Sequence, residues 1–331
     1  MSDQKMVNPK EVPSVTFNNG QTIPIVGLGT WQSPPDGSLY KAVSGAIDAG
    51  YRHIDCAYAY GNEEEVGKAI NDAISAGKIK REDLFVVSKL WLTFFRRDRV
   101  KLCVNKILTK LNISYLDLCL VHWPMSFGES DTDNLPVGPD GKVVPGDIDY
   151  LEAWQGLEDC VNDGLVKSIG ISNFNTKQIE RLLGAAKIKP VTNQVESHPY
   201  LAQVQLKKFC EERGITLTAY SPLGNPGSQV NTGSDKDRLL KDSVVNRLAE
   251  KYNKSAAQIL LKFQAQRGVI VIPKSVSIER IRSNIELFDF ELAAEEITEL
   301  EALNRNYRTC GFDEVGVPNL PNYPFKDPNE V

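Results

Sequence analysis

Eight short apolar, β-branched segments, each followed by a longer stretch of helical periodicity, limit what this chain can fold into. They lie at 24–30, 53–57, 84–90, 116–123, 166–172, 190–196, 216–223 and 269–275. Several are apolar almost throughout, the pattern of parallel strands covered on both faces. Eight parallel strands with eight crossovers in roughly 250–300 residues predict a (β/α)8 TIM barrel. The competing architecture, an open doubly wound sheet, needs a glycine-rich phosphate turn after its first strand. "GLGTWQ" at Gly27 lacks the third glycine of that turn, and "GNEEEVGKA" at Gly61 has Ala69 where a phosphate loop needs Ser or Thr.

Around the eight units the sequence adds three features. Asn19-Gly20 between apolar flanks predicts an N-terminal β-hairpin with a type I′ turn. Long polar connections at 124–149 and 224–242 follow the fourth and seventh strands, and an irregular C-terminal tail follows the last helix. Both connections leave C-terminal strand ends, where barrel enzymes carry their sites, so lid or specificity roles are expected of them. No composition break divides the chain, and residues 1–331 read as one barrel domain.

Composition excludes several function classes. A formal charge of -5 without a basic stripe argues against nucleic acid as a partner. No run of about 18 apolar residues is present, and the N-terminus lacks the basic-then-apolar order of a signal peptide, so no membrane role and a cytosolic location are expected. Six dispersed cysteines form no Cys-x-x-Cys pair, and the three histidines, His53, His122 and His198, form no His-x-His pair. A zinc site and a metal-dependent hydrolase are therefore disfavoured, and no metal is expected.

In a barrel, residues at the C-terminal ends of different strands meet. The second strand contributes Asp55 and, beyond its end, Tyr60; the third contributes Lys89; the fourth contributes His122. Asp55 and Tyr60 reach one site only if the strand stops near Ala57 and a turn redirects Tyr60. An ammonium beside a phenol lowers its pKa, Asp55 can hold Lys89 charged, and a neutral His122 can orient a substrate oxygen. Together the four suit proton transfer to a carbonyl oxygen while its carbon accepts a hydride. Singly, each also has a structural reading: an ion pair between strand ends, a strand-end histidine, tyrosines capping the barrel rim. His53 lies at the N-terminal end of its strand, away from such a site.

The motifs "GLGTW", "GYRHIDCAYAYGNEEEVG", "SKLW", "VHWP", "GISNF", "NQVESHPY", "AYSPLG", "IPKS" and "NRNYRTCGF", in this order from about Thr22 to Phe312, resemble those of the aldo-keto reductases, above all the aldose and aldehyde reductase branch. The resemblance implies NADPH-dependent reduction of aldehydes or ketones to alcohols, in a monomer. It makes Tyr60 the general acid, tuned by Lys89 and Asp55, with His122 orienting the carbonyl. It implies that Ser172, Asn173 and Gln194 bind the nicotinamide carboxamide and that Tyr220 stacks on the ring. Gly29, Thr30, Ser221 and Leu223 complete the expected cofactor contacts. Lys274, Ser275, Arg280 and Asn284 fall where such barrels bind phosphate, and a Lys-Arg pair suits the 2′-phosphate of NADP, so NADPH is expected over NADH.

Trp31, Trp91, Trp123, Tyr307, Cys310 and Phe312, with His122, are the expected substrate contacts. Two departures from the family pattern stand out: Asn225-Pro226-Gly227 where relatives often carry Ser and Asp over the pyrophosphate, and Ser283 where an acid commonly meets adenine. They imply a looser cofactor clamp. A non-catalytic NADP-binding regulatory or structural protein of the same fold is the alternative, since fold alone does not secure activity.

Overall fold

The computed structural model describes residues 7–34, 36–226 and 238–326. Two short strands, β1 (Ser14–Thr16) and β2 (Thr22–Pro24), form an antiparallel hairpin. Eight parallel strands come after it: β3 (Leu28–Gly29), β4 (His53–Asp55), β5 (Phe85–Leu90), β6 (Leu116–Val121), β7 (Val166–Ser172), β8 (Thr192–Glu196), β9 (Thr216–Tyr220) and β10 (Ile270–Val271). Their spatial order is their chain order. Bridges from Val26 to Val271 and from Gly29 to Lys274 join the last strand to the first, so the sheet closes as the (β/α)8 pattern requires. Gly29 permits this seam, because a Cβ there would stand 2.6 Å from the Ile272 carbonyl oxygen.

Most of the ladders are shorter than the apolar runs that predict them. Residue 24 belongs to the hairpin rather than to the first barrel strand, because Pro24 ends β2. The second strand stops at Asp55, and the seventh stops at Tyr220, where Ser221 turns to φ +47° ahead of Pro222. The hairpin turn also differs from the type I′ expectation. Gly20 has φ +84° but Asn19 is not left-handed, and Gly20 N donates to Phe17 O while Phe17 N donates to Gln21 O. This is a three-residue loop with glycine at its left-handed position, the other common solution for twisted strands.

The hairpin closes the N-terminal end of the barrel. Phe17 and Ile23 pack with Phe85, Val87, Leu118, Leu120, Val191 and Ile270. Asn18 Nδ2 donates to Pro190 O and Gly214 O, and Asn19 Nδ2 to Ser168 Oγ. His53 sits at this closed end, its Nδ1 3.1 Å from Pro24 O, and burial pushes its pKa down to about 4. The buried, uncharged ring is part of the plug.

At the opposite end the first long connection and the tail gather. Phe127 bridges to Pro145 and Val137 to Val143 within the first connection, while Val143 N donates to Val315 O of the tail. Asn175 Nδ2 and Gln178 Nε2 hold the tail through Pro324 O and Asn322 O. No helix among the described residues is long and apolar enough to cross a membrane.

Candidate active site

The path of the chain after β4 decides what the barrel mouth contains. The strand ends at Asp55, and a single 3-10 turn, Tyr58–Tyr60, closes on Gly61 at φ +66°. Tyr60 N donates to Ala57 O across this turn, which brings the Tyr60 side chain back over the strand end. The helix Glu63–Ser75 then leaves along the outside.

Lys89, fully buried on β5, uses its three ammonium protons on three acceptors. They are Asp55 Oδ1 at 2.5 Å, Cys56 O at 2.8 Å and the Tyr60 hydroxyl at 3.2 Å. Because the phenolic oxygen accepts from Lys89, its own proton remains available to donate elsewhere. The other Asp55 oxygen accepts from Gln194 Nε2 at 2.8 Å. Burial alone would lower the Lys89 pKa, but the Asp55 charge and the contacts with Asp55 and Tyr60 outweigh it and raise it. The ammonium therefore stays charged.

Tyr60 departs from the acidity expected of a phenol beside an ammonium. Burial pushes its pKa up to about 12, and the opposing Lys89 charge and hydrogen bond offset only part of this. The result is a phenol held fully protonated at neutral pH. His122 lies beside it with ring centroids 5.8 Å apart. Desolvation, reinforced by the Lys89 charge, holds its pKa well below the ordinary value, so the ring is neutral. Its buried Nδ1 has no hydrogen-bond partner among the described residues.

These groups open into one cavity of ≈ 660 Å³, within the range of small-molecule sites. Gly29, Thr30, Trp31, Asp55, Tyr60, Trp91, His122, Trp123, Ser172, Asn173, Gln194, Tyr220, Ser221, Leu223, Lys274, Cys310 and Phe312 all line it. Ser172, Asn173 and Gln194 bond one another as well as facing the cavity. Ser172 Oγ donates to Gln194 O, Asn173 Nδ2 to His122 O and to Ser172 Oγ, and Tyr220 Oη to Asn173 Oδ1. Asn173, Ser221 and Phe312 all adopt positive φ at this mouth, a clustering expected of functional sites.

Other candidates sit elsewhere. Tyr307 does not line the cavity; it packs against the separate hydrophobic cluster that contains Tyr200 and Leu292, under the Arg305 guanidinium. Ser275, Arg280 and Asn284 lie beyond the cavity, at and within the helix Ile278–Ile285. Exposed Lys274 and Arg280 make no ion pair among the described residues, and burial together with the Arg280 charge lowers the Lys274 pKa. Two adjacent unpaired cations at a helix N-terminus fit a phosphate group. Cys310 is half-buried, and burial with the Glu196 charge pushes its thiol up to about 12, which leaves it without thiolate character. Asn225 lines the cavity; Gly227 lies outside the described residues.

Several residues at the mouth carry no individual signal in the sequence. Asn134 and Leu135 of the first long connection line the cavity, and Asn134 O accepts from Trp91 Nε1 at 2.6 Å. Asn62 Nδ2 bonds Thr30 O and Ser33 O and ties together the loops after the first two barrel strands. Glu63, in the first helical turn, is buried against Ser88 Oγ rather than exposed, and burial pushes its pKa up to about 7.

The aldo/keto reductase family model matches residues 25–305, most of the chain. This chain belongs to the aldo-keto reductase family. The reductase is 49% identical over 296 residues to aldo-keto reductase family 1 member A1-A of Danio rerio, a match that covers 89% of this chain and 90% of that one. It is 47% identical to aldo-keto reductase family 1 member A1 of Gallus gallus, across 95% and 98% of the two chains. Among solved structures, the aldose reductase of Schistosoma japonicum superposes with a TM-score of 0.88 at 39% identity, over 95% of this chain and 99% of that one. An aldo-keto reductase of Bombyx mori, solved in complex with NADP, gives 0.84 at 41% identity, over 96% and 99%. This aldo-keto reductase is accordingly an NADP-dependent oxidoreductase acting on small carbonyl compounds.

Proposed function

We propose that the chain is a cytosolic, monomeric NADPH-dependent reductase of the alcohol dehydrogenase (NADP+)/aldose reductase type, with Tyr60 as its proton donor. The observation that carries this reading is the hydrogen-bond order at the barrel mouth. Lys89 spends its protons on Asp55, Cys56 and the Tyr60 oxygen, so the Tyr60 proton is the one left for a ligand. Burial keeps that proton in place, and the charged Lys89 stabilises the phenolate that forms once it is given up. Neutral His122 gives the carbonyl oxygen a second polar contact beside Tyr60, and Trp91 and Trp123 bound the space in front of it. Acid, orienting group and apolar wall meet at one point.

The donor set also fits the cofactor. Bound NADPH supplies the hydride. Ser172, Asn173 and Gln194 would hold its carboxamide, Tyr220 offers an aromatic face, and Lys274 with Arg280 would take the 2′-phosphate, beside Ser275 and Asn284. A charged hydrogen bond contributes about 1.5–3 kcal/mol, roughly a 10- to 100-fold change in binding. Lys274→Ala is therefore expected to raise the Kd for NADPH at least about tenfold while leaving that for NADH nearly unchanged, as read by quenching of tryptophan fluorescence. Equal weakening of both coenzymes would remove Lys274 from the 2′-phosphate site.

A further inference from the structure

Glu196, the last residue of β8, is completely buried and belongs to no catalytic contact described above. Its Oε1 accepts from Thr309 N at 2.8 Å, Thr309 Oγ1 at 2.6 Å and His198 Nε2 at 2.9 Å. Its Oε2 accepts from Cys310 N at 2.9 Å, and from Thr309 N at 3.1 Å. Residues 305–312 have no regular secondary structure, so their backbone donors need partners from outside the segment. A single carboxylate on a rigid strand end meets two of them.

The residues bound by this carboxylate lead straight into the substrate side of the cavity. Cys310, Gly311 and Phe312 line it, and the Phe312 ring packs 5.4 Å from Trp123, 6.2 Å from Trp91 and 5.9 Å from Phe127 between centroids. Phe312 has φ +56°, a conformation an aromatic residue holds only when its surroundings impose it. Asn225 Nδ2 adds a second tie, to Cys310 Sγ at 3.4 Å. The segment is thus fastened at its start and strained where it meets the cavity.

We propose that Glu196 is a specificity-determining positioning residue. Its carboxylate fastens residues 309–312 to the barrel rim and so builds the aromatic wall against which bulky carbonyl substrates dock. The inference rests on the reductase reading for its kinetic consequence, though not for the latch itself. Small aldehydes, which need only Tyr60 and His122, are indifferent to the wall.

The test compares the full chain with Glu196→Gln and with Thr309→Val. A glutamine amide turns a donor towards the Thr309 and Cys310 N–H groups, whereas Thr309→Val deletes one bond and covers the case in which the first variant does not fold. With NADPH saturating, Glu196→Gln is expected to raise the KM for 4-nitrobenzaldehyde about tenfold, with KM for propanal and kcat for both within about threefold of the parent. Thr309→Val is expected to change in the same sense, about threefold. In parallel, tryptic cleavage after Arg308, the bond whose Thr309 N–H the carboxylate holds, is expected to quicken about tenfold in Glu196→Gln. Equal kinetic losses for both aldehydes, or unaltered cleavage, would overturn the latch. Absence of turnover in the parent chain would instead defeat the reductase reading, while faster cleavage in the variant would still support the latch.

Discussion

Lys89→Met is expected to lower thermal stability and activity together. The Asp55–Lys89 pair has side chains 2% and 0% exposed, so removing the ammonium leaves a buried carboxylate at the floor of the cavity whose remaining side-chain hydrogen bond comes from Gln194. Breaking a buried pair of this kind costs about 3–5 kcal/mol, equivalent to a drop in the unfolding midpoint of roughly 4–7 °C for a chain of this size. Reduction of an aromatic aldehyde is expected to slow on the order of a hundredfold or more, because nothing then stabilises phenolate on Tyr60. The double variant Lys89→Met/Asp55→Asn separates the two effects. It removes the orphaned charge and is expected to recover much of the midpoint but none of the rate. Recovery of both would show that Lys89 acts only as a structural counter-ion.

Tyr60→Phe is expected to keep the fold and lose the chemistry. The phenol oxygen accepts one hydrogen bond, from Lys89, which keeps its bonds to Asp55 and Cys56 when the hydroxyl is deleted. General acid catalysis is worth about 10²–10⁴ in rate, and kcat is expected to fall by that factor with the Kd for NADPH within about twofold. The parent's pH profile checks the same assignment from the other side. An acid is competent below its pKa, and Tyr60 is held near 12, above the ordinary phenol; an orienting imidazole is neutral above its pKa, and burial holds His122 well below 6.5. For the free protein, kcat/KM is therefore expected to be level between about pH 6 and 9, with no imidazole inflection. A step near the ordinary histidine value would show that His122 titrates in the working range.

The sequence shows some of this architecture more clearly than the rest, for physical reasons. Apolar runs report burial on two faces, so the eight-stranded barrel can be read from local patterns of 24–30 through 269–275. The meeting of Asp55, Tyr60 and His122 at one cavity, with Lys89 buried behind them, is legible once those strand ends are set side by side. The three-residue turn at Gly20 is not legible as such, because Asn-Gly is compatible with more than one loop length and the choice is made by packing of Phe17 into the barrel floor. Tyr60 acidity runs opposite to the sequence expectation, since a sequence shows the neighbouring charge but not the desolvation that outweighs it. Tyr307 and Cys310 are three residues apart, yet only Cys310 lines the cavity, because Tyr307 N and Arg305 N both bond Tyr200 O and commit that stretch to the separate hydrophobic cluster. The latch made by Glu196 and the tie made by Asn62 give no signal of their own because Thr309 and Cys310 lie over a hundred residues from Glu196, and Thr30 and Ser33 about thirty from Asn62.

The central claim is that this mouth delivers a hydride from NADPH to a carbonyl carbon while Tyr60 supplies the proton to oxygen. Its most direct test is reduction of 4-nitrobenzaldehyde with NADPH deuterated on one face of C4, then on the other, with the carbinol carbon analysed by mass spectrometry and NMR. The account predicts deuterium on that carbon from one face only, none from the other, and solvent hydrogen only on the oxygen. Deuterium arriving from both faces, or a carbinol hydrogen drawn from solvent, would contradict it.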